Sequence, residues 1–560
     1  MTGTDLPWLG DACSLVDAFR AGERSPTEEL EATLGAIAAS DLGAFVWLDE
    51  ERARERAAAA DVSLPLGGVP VGIKALEPVE GWPYTEESLV FADRVADHSS
   101  TAHTRLVEQG GIVPVGQTLA SEFGGLNIST NKIHGTCTNP WGEGRTAGGS
   151  SGGSSAAVAG GLVTIASGGD GGGSIRIPAG FNGLLGMKGT AGRIPRGPKT
   201  LIHPMTVVLG CQARSVRDAA RWFDVASGYD SRDPYSLPRI DGWERDLGTH
   251  PLRGLRVAIA PTLGSAVVRQ EVQDRVVAAG EALARDAGLT VVDLDVQFPK
   301  LDLAWALGNL TGLRMDLEGL WPECRDLLTK EIAFGLDMAE QLVNLETNAR
   351  GEATRTQANE AMAAIFDHVD LVICATNPDV AFPAHISTNT RVGDQKVDLG
   401  NNGALTIPAN ISGNPAVSIP IEPLDGLPVG MQIIGRHHQT SSCWTWPSRW
   451  SAPARGPWWP RALPAEDRPG VTTITPARCL RPLATDRTGV RWSLQGLVVT
   501  PPEETVDMAE QLPLTTTAGE LRRTWTLDER TREAGRRGIA SARAALAAHR
   551  PADDSRRQAA

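Results

Sequence analysis

Hydrophobic positions along the chain follow two rhythms in turn. Leu30, Leu34 and Ile37 recur at i, i+4 and i+7, one apolar helix face. Ser25-Pro26-Thr27-Glu28 before them predicts the start of that helix, with a capping box and proline at the first helical position. Residues 104–110 read as the end of a helix leading into the short apolar run 112–115. Residues 255–260 and 290–296 read as strands on either side of an amphipathic helix over 271–287. Residues 371–375 and 417–421 are further short apolar runs, and 428–434 reads as one arm of a hairpin. Residues 161–166 are apolar enough for a buried strand or a buried helix, and periodicity does not choose between them. Strands alternating with helices predict an α/β fold. The polar segment 379–403, with His385, Asn389, Asn401 and Asn402, reads as a loop and as a candidate wall of a substrate pocket.

Composition narrows the class. The chain has 560 residues, more than one typical domain but within the range of a single large α/β enzyme. A net charge of −14 argues against nucleic acid or an anionic membrane as partner. The N-terminus has no basic region followed by an apolar one, so no signal peptide is expected. No apolar run reaches the length of a membrane span. The seven cysteines are scattered and none forms a CxxC pair, which suggests neither a disulfide framework nor a zinc site. A reducing cytoplasm is the expected location.

The densest chemical signal lies in residues 148–178. Two serines, Ser150 and Ser174, sit 24 residues apart, each embedded in glycine, with an apolar run between them. Glycine lets backbone N–H groups approach a reacting atom, and serine supplies a hydroxyl that attacks or relays a proton. Gly148-Gly149-Ser150-Ser151-Gly152 also matches the GxSxG nucleophile elbow, but that motif needs a preceding strand and the residues ahead of it do not read as one. Gly142 to Ala147 matches GxGxxA and fails for the same reason.

Three blocks together resemble the amidase signature family. They are Gly68-Val69-Pro70-Val71-Gly72-Ile73-Lys74, then Gly148-Gly149-Ser150-Ser151-Gly152-Gly153, then Asp170 with Gly172-Gly173-Ser174-Ile175-Arg176-Ile177-Pro178. The resemblance runs from about Ser14 to His438, and the wording of the third block is similar to the branch that contains 6-aminohexanoate cyclic-dimer hydrolase. It implies one large mixed β-sheet surrounded by helices. It also implies a Ser-Ser-Lys triad, with Ser174 as nucleophile, Ser150 as bridging hydroxyl and Lys74 as base. A serine needs a base to take its proton, and a lysine can be that base only when burial keeps it neutral. The apolar Val69, Val71 and Ile73 suit such burial. Gly171, Gly172 and Gly173, with the Ser174 N–H, are the expected oxyanion hole, where one lost donor typically costs about 2.7–4 kcal/mol of transition-state stabilisation. Asp170, Arg176 and Ser151 are expected to support the site. Ser154, Ser155, Glu122 and Asn139 are read as structural. Three positions depart from the family pattern: Ala75 replaces the usual Asp after the lysine, and Gly169 and Gly171 replace the usual Thr residues beside Asp170.

The pattern breaks after His438. From Gln439 on there is no Lys, Asn, Phe or Tyr, while Arg, Pro and Trp abound. That is the composition of a GC-rich gene read out of frame. When codons start at the third base of each printed one, Cys443-Trp444 must give Leu, Trp444-Thr445 must give Asp and Trp446-Pro447 must give Ala. With permitted choices elsewhere the run becomes DQLLLDLALAVERARPWPLVAP, an amphipathic helix and a family-like end. The expected organisation is an amidase signature domain over 1–438 and a frameshifted tail over 439–560, with a helical stretch near 527–549.

The expected activity is hydrolysis of a carbon–nitrogen amide bond, other than a peptide bond, through an acyl-enzyme at Ser174. The expected partner is a small-molecule amide, with a homodimer as one candidate assembly; no metal and no organic cofactor are implied. Two alternatives stand beside this: an amidotransferase A-type subunit, and a binding protein whose catalysis is impaired by the altered C-terminus.

Overall fold

Short runs of Val, Ile, Leu and Met that are apolar on both sides must be covered on both faces, and here they assemble into one buried sheet. The computed structural model describes residues 6–200, 204–249 and 252–439. The tail beyond Gln439 lies outside these residues. The strands of the large sheet are, in chain order, β1 (Phe45–Leu48), β2 (Pro70–Lys74), β3 (Val113–Thr118), β4 (Ile165–Asp170) and β5 (Leu185–Lys188). Then come β6 (Val208–Ala213), β7 (Arg256–Ile259), β8 (Thr290–Val291), β9 (Leu371–Ala375), β10 (Ala416–Leu424) and β11 (Leu427–Gly435). Their spatial order is β1-β3-β2-β4-β6-β5-β10-β11-β9-β7-β8.

The sheet is mixed. β2 runs parallel to both β3 and β4, and β9 runs parallel to β7. The centre, from β4 through β6, β5, β10 and β11 to β9, is antiparallel. The principal core is built from its side chains, including Val71, Ile73, Ile165, Met187, Cys211, Val257, Ile373, Val417 and Ile433. Twelve α-helices surround it among the described residues. None of these helices is long and apolar enough to cross a membrane.

The fold matches the α/β expectation, and most elements sit where the pattern put them. Ser25 caps the helix Pro26–Ala39 with Glu28 completing the capping box. The helix over 271–287 is Gln270–Ala287, and the hairpin arm over 428–434 is β11, paired with β10. The ambiguous segment 161–166 feeds strand β4. The strand expected over 290–296 shrinks to Thr290–Val291, because β8 is the last strand of the sheet and has only β7 to pair with. The segment 379–403, expected as a loop, also carries a short antiparallel pair, Arg391–Val392 with Gln395–Lys396. A 3-10 turn follows over Leu399–Asn402, where the Asn401 side chain bonds Val267 through both its carbonyl and its amide and Asn402 donates to Thr388 and Asn389.

Candidate active site

Parallel strands place their carboxyl ends together, and in open α/β sheets that edge is where sites form. Lys74 ends β2, and Asp170 ends its parallel neighbour β4. The Lys74 backbone N–H donates to Ser167 Oγ on β4 at 2.9 Å, which ties the two ends together. Its side chain is buried, with the residue 4% exposed. Nζ donates to Ser150 Oγ at 2.8 Å and to the Gly169 carbonyl at 3.3 Å. Burial pushes this ammonium down to about 7, against the opposing pull of Asp170, Glu77, Glu86 and Glu87. The same burial raises the carboxyls of Glu77 and Glu87, the latter to about 8.

Ser150 is buried in a loop that no strand precedes, as expected for a false GxSxG match, and the helix Gly152–Ala159 follows it. The Gly149–Ser150 peptide is cis. Ser151 sits between the two serine loops: its N–H donates to the Ser174 carbonyl and its Oγ to the Gly169 carbonyl, both at 3.3 Å. Ser174 is half-buried, one residue before the cap of the helix Arg176–Asn182. Ser150 Oγ and Ser174 Oγ make no hydrogen bond to each other. The structure therefore closes contact between Lys74 and Ser150 and brings Ser174 alongside through Ser151.

The loop that carries Ser174 is held by Asp170. Its carboxylate accepts from the N–H groups of Gly173, Ile175 and Arg176 and from Arg176 Nε and Nη2. Burial alone would raise this carboxyl, but the Arg176 guanidinium, the Lys188 ammonium and the Asn410 amide hold it well below the usual carboxylate range. Arg176 is fully buried, and its remaining N–H groups reach Thr406 O, Gln432 Oε1 and Asn410 Oδ1. Every one of these contacts is intramolecular, which makes Arg176 a strut of the loop.

The three glycines before Ser174 differ from one another. Gly173 has φ +129°, and a β-carbon there would meet Thr406 Oγ1 at 2.5 Å and Ile177 Cδ1 at 2.6 Å, so only glycine fits. Its N–H donates to Asp170 Oδ1 at 2.9 Å and is thus engaged, unlike the free donor expected from the motif. The N–H groups of Gly171, Gly172 and Ser174 donate to no protein group among the described residues. The carbonyls of the first two are anchored: Trp305 Nε1 donates to Gly171 O at 2.7 Å and Thr406 Oγ1 to Gly172 O at 2.6 Å.

Glu122 and Asn139 are structural, as read from sequence. Glu122 accepts from Ser88 Oγ, Thr329 N and Thr329 Oγ1. Asn139 donates to Thr146 O and Phe181 O. Sequence reading missed Trp305, Thr406, Asn410 and Gln432. None lies in a motif, and each reaches the loop from more than 130 residues away.

The amidase family profile matches residues 28–443. The chain is a member of the amidase family. Amidase family members act on carbon–nitrogen bonds. The chain is 32% identical over 454 residues to the A subunit of glutamyl-tRNA(Gln) amidotransferase from Chloroflexus aggregans, covering 75% of this chain and 91% of that one. A bacterial aryl acylamidase of the amidase signature family superposes with a TM-score of 0.72 at 28% identity, covering 81% of this chain and 96% of the other. The 6-aminohexanoate cyclic dimer hydrolase, solved with its substrate, gives a TM-score of 0.71 at 26% identity, covering 81% and 99%. As an amidase-family fold, the molecule is thus the mixed sheet with surrounding helices that the three motif blocks implied.

Proposed function

We propose that the chain hydrolyses a small-molecule amide by acyl transfer to Ser174 and then to water. The observation that carries this reading is Lys74: buried, 2.8 Å from Ser150 Oγ, and pushed down to about 7. An ammonium can only donate, whereas a neutral amine also offers a lone pair. At neutral pH the contact between Lys74 and Ser150 can therefore reverse, with the Ser150 hydroxyl donating to Nζ.

Each step then has a group to perform it. Ser174 Oγ attacks the amide carbonyl, and its proton passes to Ser150 as the Ser150 proton passes to Lys74. Negative charge on the carbonyl oxygen is met by the unengaged N–H groups of the 171–174 loop. The Lys74 ammonium returns its proton through Ser150 to the departing nitrogen, which would otherwise leave as an amide anion. Water, deprotonated by the same relay, then releases the acid from Ser174.

The acylamidase and cyclic-dimer hydrolase likenesses support hydrolysis of a free amide. The test is amine or ammonia release over a panel of short aliphatic, aryl and cyclic amides. Wild type is expected to turn over at least one, and Ser174→Ala none. The identity to an amidotransferase A-type chain supports a second reading, delivery of ammonia within a larger assembly. That reading requires partner subunits to co-purify with the chain.

A further inference from the structure

The Trp305 indole N–H donates to the Gly171 carbonyl at 2.7 Å. Trp305 stands on the helix Asp302–Asp316, and its ring closes on the loop: a β-carbon at Gly172 would meet Cζ2 at 2.7 Å and Cε2 at 2.9 Å. A trans peptide is planar, so the C=O of residue 171 and the N–H of residue 172 are opposite ends of one rigid plate. The Gly171–Gly172 bond is not among the cis bonds of the chain. Fixing Gly171 O therefore fixes the direction of the Gly172 N–H. With glycine on both sides of the bond, the backbone has little steric preference of its own to do this.

The next plate is held differently. Thr406 fixes its carbonyl end at Gly172 O, and Asp170 takes its N–H end at Gly173. One plate is thus satisfied at both ends inside the protein. The other is anchored only at the carbonyl, and its N–H has no protein acceptor among the described residues.

We propose that Trp305 is the positioning residue of an oxyanion hole, holding the Gly172 N–H toward the carbonyl oxygen of an amide bound at Ser174. This rests on Ser174 being the nucleophile. Indole suits such a role because it is donor-only, and a flat two-torsion side chain holds one direction. The ring also lies directly against Gly172. That closeness gives Gly172 its reason to be glycine, because a side chain there would displace the ring that aims its own N–H.

Labelling of the full chain by phenylmethylsulfonyl fluoride, followed by intact mass, tests this without knowledge of the substrate. Ser174 Oγ bonds to sulfur, the S–F bond breaks, fluoride leaves, and the hydroxyl proton passes through Ser150 to Lys74. Charge builds on the sulfonyl oxygens, where the hole acts. Trp305→Phe keeps a flat ring and removes the N–H, so labelling is expected to slow about tenfold, the worth of roughly one hydrogen bond, at an unchanged melting temperature. Thr406→Val loses an equally short bond to the neighbouring carbonyl, yet Asp170 still holds that plate, so its loss is expected to be smaller. Trp305→His restores a ring N–H and is expected to label faster than Trp305→Phe.

Labelling of Trp305→Phe at the wild-type rate would overturn the positioning role. So would equal slowing in Trp305→Phe and Thr406→Val, or no recovery in Trp305→His. In each case an unlabelled Ser174→Ala would leave the nucleophile standing. Labelling of Ser174→Ala at the wild-type rate would remove the nucleophile and this inference together.

Discussion

Arg176 grips Asp170 with two nitrogens, Nη2 on Oδ1 at 2.8 Å and Nε on Oδ2 at 2.9 Å, and neither side chain is exposed to solvent. The same carboxylate organises three backbone N–H groups of the serine loop, so one ion pair links the fold's stability to the site's shape. Asp170→Ala leaves a guanidinium buried without its counter-charge. Breaking a buried pair this way is expected to cost about 3–5 kcal/mol, read as a lower midpoint in urea unfolding.

Lys74 couples folding stability to pH. Its folded pKa of about 7 lies below the ordinary 10.5, so between those values the unfolded chain binds the extra proton and wild-type stability rises with pH. Lys74→Met has no such group. It is expected to melt above wild type at pH 7 and below, with the gap closing as pH approaches 10.5. Melting curves of both proteins across this range check the sign.

The same titration governs the rate. A base that must be neutral makes log(kcat/KM) rise with pH below about 7 and level off above it. Lys74→Met is expected to lose activity and this profile together. A rising limb that persists in Lys74→Met would assign the base elsewhere.

The local elements of this site were legible because their determinants are contiguous. Glycines flank Ser150 and Ser174, and the apolar Val69, Val71 and Ile73 announce the burial of Lys74, though not the strand that achieves it. The strut role of Arg176 was legible only as an expectation, since its partners Thr406, Asn410 and Gln432 come from distant segments. Trp305 was illegible, because a tryptophan in a helix more often signals core packing than a bond to a loop carbonyl 134 residues away. The engagement of the Gly173 N–H by Asp170 was hidden too, since three adjacent glycines look alike until φ and neighbours separate them.

Gly173→Ala tests that separation. At φ +129° with Thr406 and Ile177 pressed close, an added methyl must move the loop. The expected result is a loss of about 100-fold or more in kcat, comparable to removing an oxyanion donor. Gly161→Ala serves as control: that residue also has positive φ, but its position opens on free space away from the loop.

The break after His438 is tested in the gene. Resequencing across codons 438–440 is expected to reveal a shifted frame whose correction restores the leucine-rich run DQLLLDLALAVERARPWPLVAP. A single uninterrupted frame there would contradict it.

Ser174 as the carrier of the acyl group is open to direct chemical test. The most direct measurement is an acid quench of the enzyme during turnover of an aryl amide, followed by peptide mass mapping. The expected result is an acyl adduct on the peptide containing Ser174, absent from Ser174→Ala. An adduct on another residue, or full amide turnover by Ser174→Ala, would contradict it.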